Sequence, residues 1–171
     1  MRRLVILAPV FLLVTAANDT RLGRERYRPL ADQDTATAIF PTGNLRLSIM
    51  RGDTQYYGVM VGNTCGSAQR LTIYSAGIGG NTTERSLPVV ASQRLRILAS
   101  IQKQHDAGWR GEAFVTCTGV VEFTPVAGAT YRITQEADSA SPDFCTIAVQ
   151  DSQTGISPPD LSVLQAPQCR F

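Results

Sequence analysis

The sequence predicts an all-β protein, an antiparallel β-sandwich of immunoglobulin-like or jelly-roll-like architecture with about seven or eight strands, stapled by disulfides. Three observations carry this expectation. Apolar residues recur with period two in short runs, turn-forming residues punctuate those runs, and an even number of cysteines follows an export leader.

The leader comes first. Met1-Arg2-Arg3 precedes an apolar run from Leu4 to Val14, which ends at the small residues Thr15-Ala16-Ala17 before polar Asn18-Asp19. A positive start, an apolar middle and small residues at the cut form a secretory signal peptide over residues 1–17. An apolar run of about 14 residues is well short of the roughly 20 that a membrane-spanning helix needs, so no stable span is expected after cleavage. The mature chain of about 154 residues suits one domain, and its 14 Lys+Arg balance its 14 Asp+Glu. A neutral chain without a basic cluster argues against nucleic acid as a partner, since that binding rests on cations that release counterions from phosphates.

Residues 18–37 mix Arg21, Arg24, Arg26 and Arg28 with Asp19, Glu25, Asp32 and Asp34, and read as a flexible, solvated arm ahead of a single sandwich domain over 38–171. Alternation then begins. Leu45, Leu47 and Ile49 share a face in LRLSIM, as do Tyr57, Val59 and Val61 in QYYGVMV. Leu71 and Ile73 do so in RLTIYS, and Leu95, Ile97, Ala99 and Ile101 in QRLRILASI. Val115, Cys117, Val121 and Phe123 line one side of FVTCTGVVEF, followed by Tyr131 and Ile133 and then by Cys145, Ile147 and Val149. These are half-buried antiparallel strands. Between the fifth and sixth of these runs, TPVAGA supplies Pro125, which donates no ladder hydrogen bond, and Gly128, which tolerates positive φ; a hairpin corner is expected there.

Cys65, Cys117, Cys145 and Cys169 read as two disulfides in an oxidising compartment. Their spacing lacks the close pairs of a zinc site. Four cysteines allow three pairings. If residues 114–124, 130–136 and 144–150 run as a meander in one sheet, Cys117 and Cys145 lie about 9–10 Å apart, beyond bridging range, which favours Cys65–Cys117 with Cys145–Cys169.

The stretch from Cys117 to Asp151, with Phe123, Pro125, Gly128, Tyr131 and Cys145 spelling Cys…F-x-P-x-x-G-x-x-Y…Cys, resembles the C-terminal part of small exported β-proteins of Gram-negative bacteria whose function is uncharacterised. The resemblance covers a fifth of the chain. It implies a periplasmic or envelope β-protein and carries no activity or site residue with it.

Chemistry is sparse. The single histidine, His105, stands beside Asp106, but no G-x-S-x-G elbow accompanies it, and one histidine is too few for a typical zinc enzyme. No catalytic residue, cofactor or metal is expected. Arg51-Gly52-Asp53 is turn chemistry between strands, and Gly77 to Asn81 leads into no helix that would hold a phosphate. Glu136, Asp138 and Asp143 lack the spacing of a calcium loop, and Asn18 and Asn81 begin sequons that matter only in a eukaryotic host. The best composition for contact is an expected 102–112 loop carrying His105, Trp109 and Arg110, since Trp and Arg are enriched at binding hot spots. The function expected is therefore a non-enzymatic binding or structural role in the periplasm or outside the cell, toward another envelope or secreted protein. The alternative is an inhibitor or immunity-type protein that blocks a hydrolase or toxin through residues 102–112.

Overall fold

A computed structural model describes residues 21–43, 45, 52–75, 83–106, 112–137, 145–167 and 169, with backbone only at 104–106 and 112–114. The expected leader over residues 1–17 lies outside the described residues. The described residues form nine strands: β1 (Thr35–Pro41), β2 (Thr54–Met60), β3 (Ala68–Ser75), β4 (Glu84–Val90), β5 (Leu95–Asp106), β6 (Glu112–Phe123), β7 (Thr130–Ala137), β8 (Cys145–Asp151) and β9 (Ser162–Leu164). They build two sheets, one of four strands in the order β4-β1-β7-β8 and one of five in the order β3-β2-β5-β6-β9. All neighbours are antiparallel except β1 and β7, which run parallel over Thr37–Ile39 and Thr130–Arg132. The expected sandwich is the fold found. The expected LRLSIM strand falls mostly outside the described residues.

Alternation explains the core. Ala36, Ala38 and Phe40 of β1, Tyr57 and Val59 of β2, Leu95, Ile97 and Ala99 of β5, and Tyr131 and Ile133 of β7 all point between the sheets and are buried there. Phe40 lies 5.0 Å from Tyr57, and Phe123 lies 5.2 Å from Tyr131, ring centre to ring centre. Such tilted aromatic pairs add to the burial of their own area.

The opposite residues of the five-stranded sheet are buried as well. Tyr56, Met60, Leu98 and Val120 face outward from the sandwich, yet Leu22, Leu164, Ala166 and the Cys65–Cys169 disulfide cover them in a second apolar cluster. Chain segments that precede β1 and follow β9 thus act as a third layer on this sheet. Hydrogen bonds hold the leading segment in place: Gly23 N–H donates to the Cys65 carbonyl at 3.2 Å, Tyr27 N–H to that of Arg70 at 2.9 Å, and Arg70 N–H to that of Glu25 at 2.5 Å. The Tyr27 ring enters the core margin and its hydroxyl accepts from Val90 N–H at 3.0 Å, joining the open edges of β3 and β4. The expected flexible arm over 18–37 is thus tied to the sheet at Gly23, Glu25 and Tyr27, and its residues 35–37 belong to β1.

The Pro125–Gly128 turn is a corner between sheets, not a hairpin. Gly128 takes φ +75°, its N–H donates to the Thr35 carbonyl, and the Tyr131 hydroxyl accepts from Val126 N–H at 3.1 Å. These bonds lead the chain out of β6 in one sheet and into β7 in the other, alongside β1. The β7–β8 hairpin then lies over β5–β6, so β8 faces β6 across the interior. This overturns the favoured disulfide pairing: the bonds are Cys117–Cys145, with Cα atoms 5.8 Å apart, and Cys65–Cys169, at 5.6 Å. The meander that kept Cys117 from Cys145 does not exist; the two strands face each other instead of lying two spacings apart in one sheet.

Buried phenols make this interior sensitive to alkali. Burial pushes the Tyr56 hydroxyl up to about 12, with nearby Arg70 pulling part of the way back, and burial together with neighbouring Tyr74 pushes Tyr57 up as well. The unfolded chain ionises its tyrosines near 10 while these two stay neutral when folded. Their stabilisation is thus complete below about pH 10 and is lost as pH rises through about 12. The urea midpoint is expected to fall between about pH 9 and about pH 11.5, and to fall less in Tyr56→Phe; equal losses in the two proteins would contradict the assignment to this residue.

Candidate partner-binding ribbon

At one pole of the sandwich β1 ends at Pro41, β3 at Ser75 and β7 at Ala137, while β2 starts at Thr54, β4 at Glu84 and β8 at Cys145. The interior here is polar. Gln135, on the inward face of β7 and 1% exposed, donates from Nε2 to the Ala99 carbonyl at 2.9 Å and to the Cys117 carbonyl at 3.3 Å, reaching across to β5 and β6. Its Oε1 has no hydrogen-bond partner. Gln55, fully buried on β2, accepts from Gly43 N–H at 2.7 Å and donates to the Tyr57 hydroxyl at 2.8 Å, which in turn donates to the Pro41 carbonyl at 3.2 Å. Amide groups sealed from water between sheets hold them in one alignment, because slippage leaves each donor and acceptor unpaired at roughly 1–3 kcal/mol apiece.

Beyond this polar plug the β5–β6 pair continues with no further strand partner among the described residues. Among the described residues β2 pairs with β5 no further than Thr54↔Gln102, and β9 pairs with β6 over Val120–Glu122. The next pairs are Lys103↔Val115, Gln104↔Phe114, His105↔Ala113 and Asp106↔Glu112. Four residue steps past Gln102 carry the ribbon about 14 Å beyond its neighbours. A free two-stranded ribbon is marginal in water. Here the Cys117–Cys145 bond ties its base to the facing sheet one pair below Gln102↔Thr116.

The expected 102–112 loop is thus largely strand. Residues 102–106 belong to β5 and Glu112 opens β6. His105 is placed within the ribbon opposite Ala113. Trp109 and Arg110 lie outside the described residues, in the 107–111 segment that joins the two ribbon strands.

The remaining motifs are placed as follows. Of Arg51-Gly52-Asp53, Arg51 is outside the described residues and Asp53 is 2% exposed, so its carboxylate is not presented for adhesion. Gly77 to Asn81 also falls outside them. Glu136 is exposed on β7, while Asp138 and Asp143 are outside the described residues. Among the described residues no group of three His, Cys, Asp or Glu side chains could hold a metal ion, and no helix is long and apolar enough to cross a membrane.

The described residues also line concave surfaces elsewhere. One, of about 430 Å³, is lined by Arg26, Tyr27, Arg28, Leu71 and Leu87 where the leading segment crosses from β3 to β4. The other, of about 500 Å³, is at the opposite pole beside Tyr131, Asp151, Ile156 and Pro158. Asp151 there accepts from the N–H groups of Gln153 and Thr154, which holds its carboxyl below the usual range. That makes it a turn-forming acceptor rather than a proton donor.

No family model, curated protein or solved structure matches this chain. The site must therefore be read from its own geometry. Sequence reasoning passed over Gln55 and Gln135, although each stands in the inward register of its strand, with Tyr57 and Val59 or with Tyr131 and Ile133. A polar residue at an apolar position was the signal.

Proposed function

We infer that this is an exported, non-enzymatic binding module of the bacterial periplasm or cell envelope, which presents the β5–β6 ribbon to another envelope or secreted protein. The observation that carries this reading is the overhang of Lys103–Asp106 and Glu112–Val115 beyond every neighbouring strand of the described residues, anchored at its base by a disulfide. A pre-ordered ribbon loses little freedom on docking, so more of its contact energy appears as affinity. The signal peptide over 1–17, two disulfides and the likeness to Gram-negative envelope proteins support export. The same projection favours one second reading, an inhibitor or immunity-type protein whose ribbon enters the cleft of a hydrolase or toxin.

The test uses the mature protein as bait in an envelope extract of its host. Wild type is expected to retain a partner that is recovered at least about tenfold less by Trp109→Ala/Arg110→Ala, with the thermal midpoint unchanged. Equal recovery by both proteins would contradict the ribbon as the binding element. Stoichiometric loss of the partner's hydrolytic activity on adding the protein distinguishes the inhibitor reading.

A further inference from the structure

The two sheets do not match in width, and the mismatch leaves an uncovered strip along one side. The five-stranded sheet ends in β6 and β9, whereas the facing sheet ends at β8, which lies over β6 through Cys117–Cys145 and through Ile147 against Gly119. No strand of the four-stranded sheet lies over β9. The consequence is visible at Val163. It pairs with Val121, which is fully buried between the sheets, and therefore shares its inward face, yet Val163 is 71% exposed. Its neighbour Leu164, on the other face, is packed into the outer cluster.

Among the described residues nothing covers the edge of β8 that borders this strip. The other three edges are blunted: β4 carries Glu84, Arg85 and Pro88, β3 is bridged by the leading segment at Arg26↔Arg70, and β9 is three residues long. Charge, proline, cover and shortness are the usual protections of a sheet edge. β8 spans seven residues and pairs only with β7 among the described residues, with no bulge in that pairing. From Cys145 to Gln150 it has no charged residue and no proline, and its exposed side chains are Thr146, Ala148 and Gln150.

The geometry points to the β8 edge as an acceptor for one extended strand supplied by another protein, a segment with uncharged residues outward and apolar residues inward over Val163. Such a strand supplies the tenth position of the sandwich. Its backbone satisfies the outward N–H and C=O groups of β8, and its inward side chains remove Val163 from water. A second copy of this chain fits less well. Pairing β8 with β8 of another molecule brings together two β9 strands, each already extending past its own β8. This site is separate from the β5–β6 ribbon and does not depend on it.

The probe is a blocked, fluorescein-labelled twelve-residue peptide of alternating valine and threonine, titrated into the mature, oxidised protein. Binding is expected, with hydrogen-exchange protection gained at alternate amides of β8. Val163→Lys is expected to weaken it at least about tenfold, because the strand then buries a charge. Val163 is largely exposed, so this variant keeps its thermal midpoint. Trp109→Ala/Arg110→Ala binds the peptide as wild type does. Absence of binding, protection at another strand, or indifference to Val163→Lys overturns the proposal. So does protection of β8 that grows with protein concentration without peptide, which assigns the edge to self-association.

Discussion

Replacing Cys65 and Cys169 together by alanine is expected to lower stability by about 4–5 kcal/mol. The bond joins residues 104 apart. Restricting so long a loop in the unfolded chain is worth about 4.7 kcal/mol on the chain-entropy account. The native state loses something too, since both cysteines are at most 2% exposed and belong to the cover over Tyr56, Met60, Leu98 and Val120. Denaturant midpoints and slopes of the oxidised proteins measure the loss, and a fluorescent apolar dye reports the uncovered face. A loss below about 1 kcal/mol would mean that the tail holds this face without its covalent tie.

The second large effect comes from a single methyl group. A Cβ at Gly23 falls 1.8 Å from the Ala68 carbonyl oxygen, which is backbone of β3 and has no room to retreat. Gly23→Ala is expected to lift residues 21–25 off the sheet. The Gly23 bond to Cys65 and the Tyr56 hydroxyl's bond to Gly23 go with them, as does the burial of Leu22. Two hydrogen bonds and part of an apolar side chain amount to about 3 kcal/mol. Trypsin then cuts at Arg24 and Arg26 under conditions where the wild-type segment, held in hydrogen bonds, resists. Equal cleavage of the two proteins would show that the segment is not docked.

Some of this was legible in the sequence and some was not, for reasons that differ by element. β2, β3, β5, β6, β7 and β8 announce themselves because large apolar residues alternate with polar ones, although Val61 lies past the end of β2 and Ile73 of β3 faces outward while Thr72 and Tyr74 are buried. β1 hides because its inward residues include Ala36 and Ala38, too small to mark a face, and its start was absorbed into a polar arm. β4 hides because an edge strand tolerates Glu84, Arg85 and Pro88, the residues that elsewhere signal a loop. The disulfides were misassigned at one joint. Pro125 to Gly128 serves equally as a hairpin turn or as a corner between sheets, and only the distant contacts of Gly128 with Thr35 and of Ser92 with Pro125 decide between them. Those contacts span too much chain for local pattern to reveal. The ribbon was half legible: its residues stood out by composition, but its extension as strand depends on where β2 and β9 stop pairing.

β8 folds over β6 while the tail returns to the outer face beside β2 and β3. The pairing of the cysteines tests it most directly. Trypsin alone is insufficient, because no Lys or Arg lies between Arg132 and Arg170, so Cys145 and Cys169 remain on one peptide. Further cleavage at Asp151 and Asp160 separates them. Mass mapping of the unreduced mature protein is then expected to yield one peptide pair joined through Cys117 and Cys145 and another through Cys65 and Cys169. Recovery of Cys65 joined to Cys117, or of Cys145 joined to Cys169, would contradict the arrangement of the two sheets.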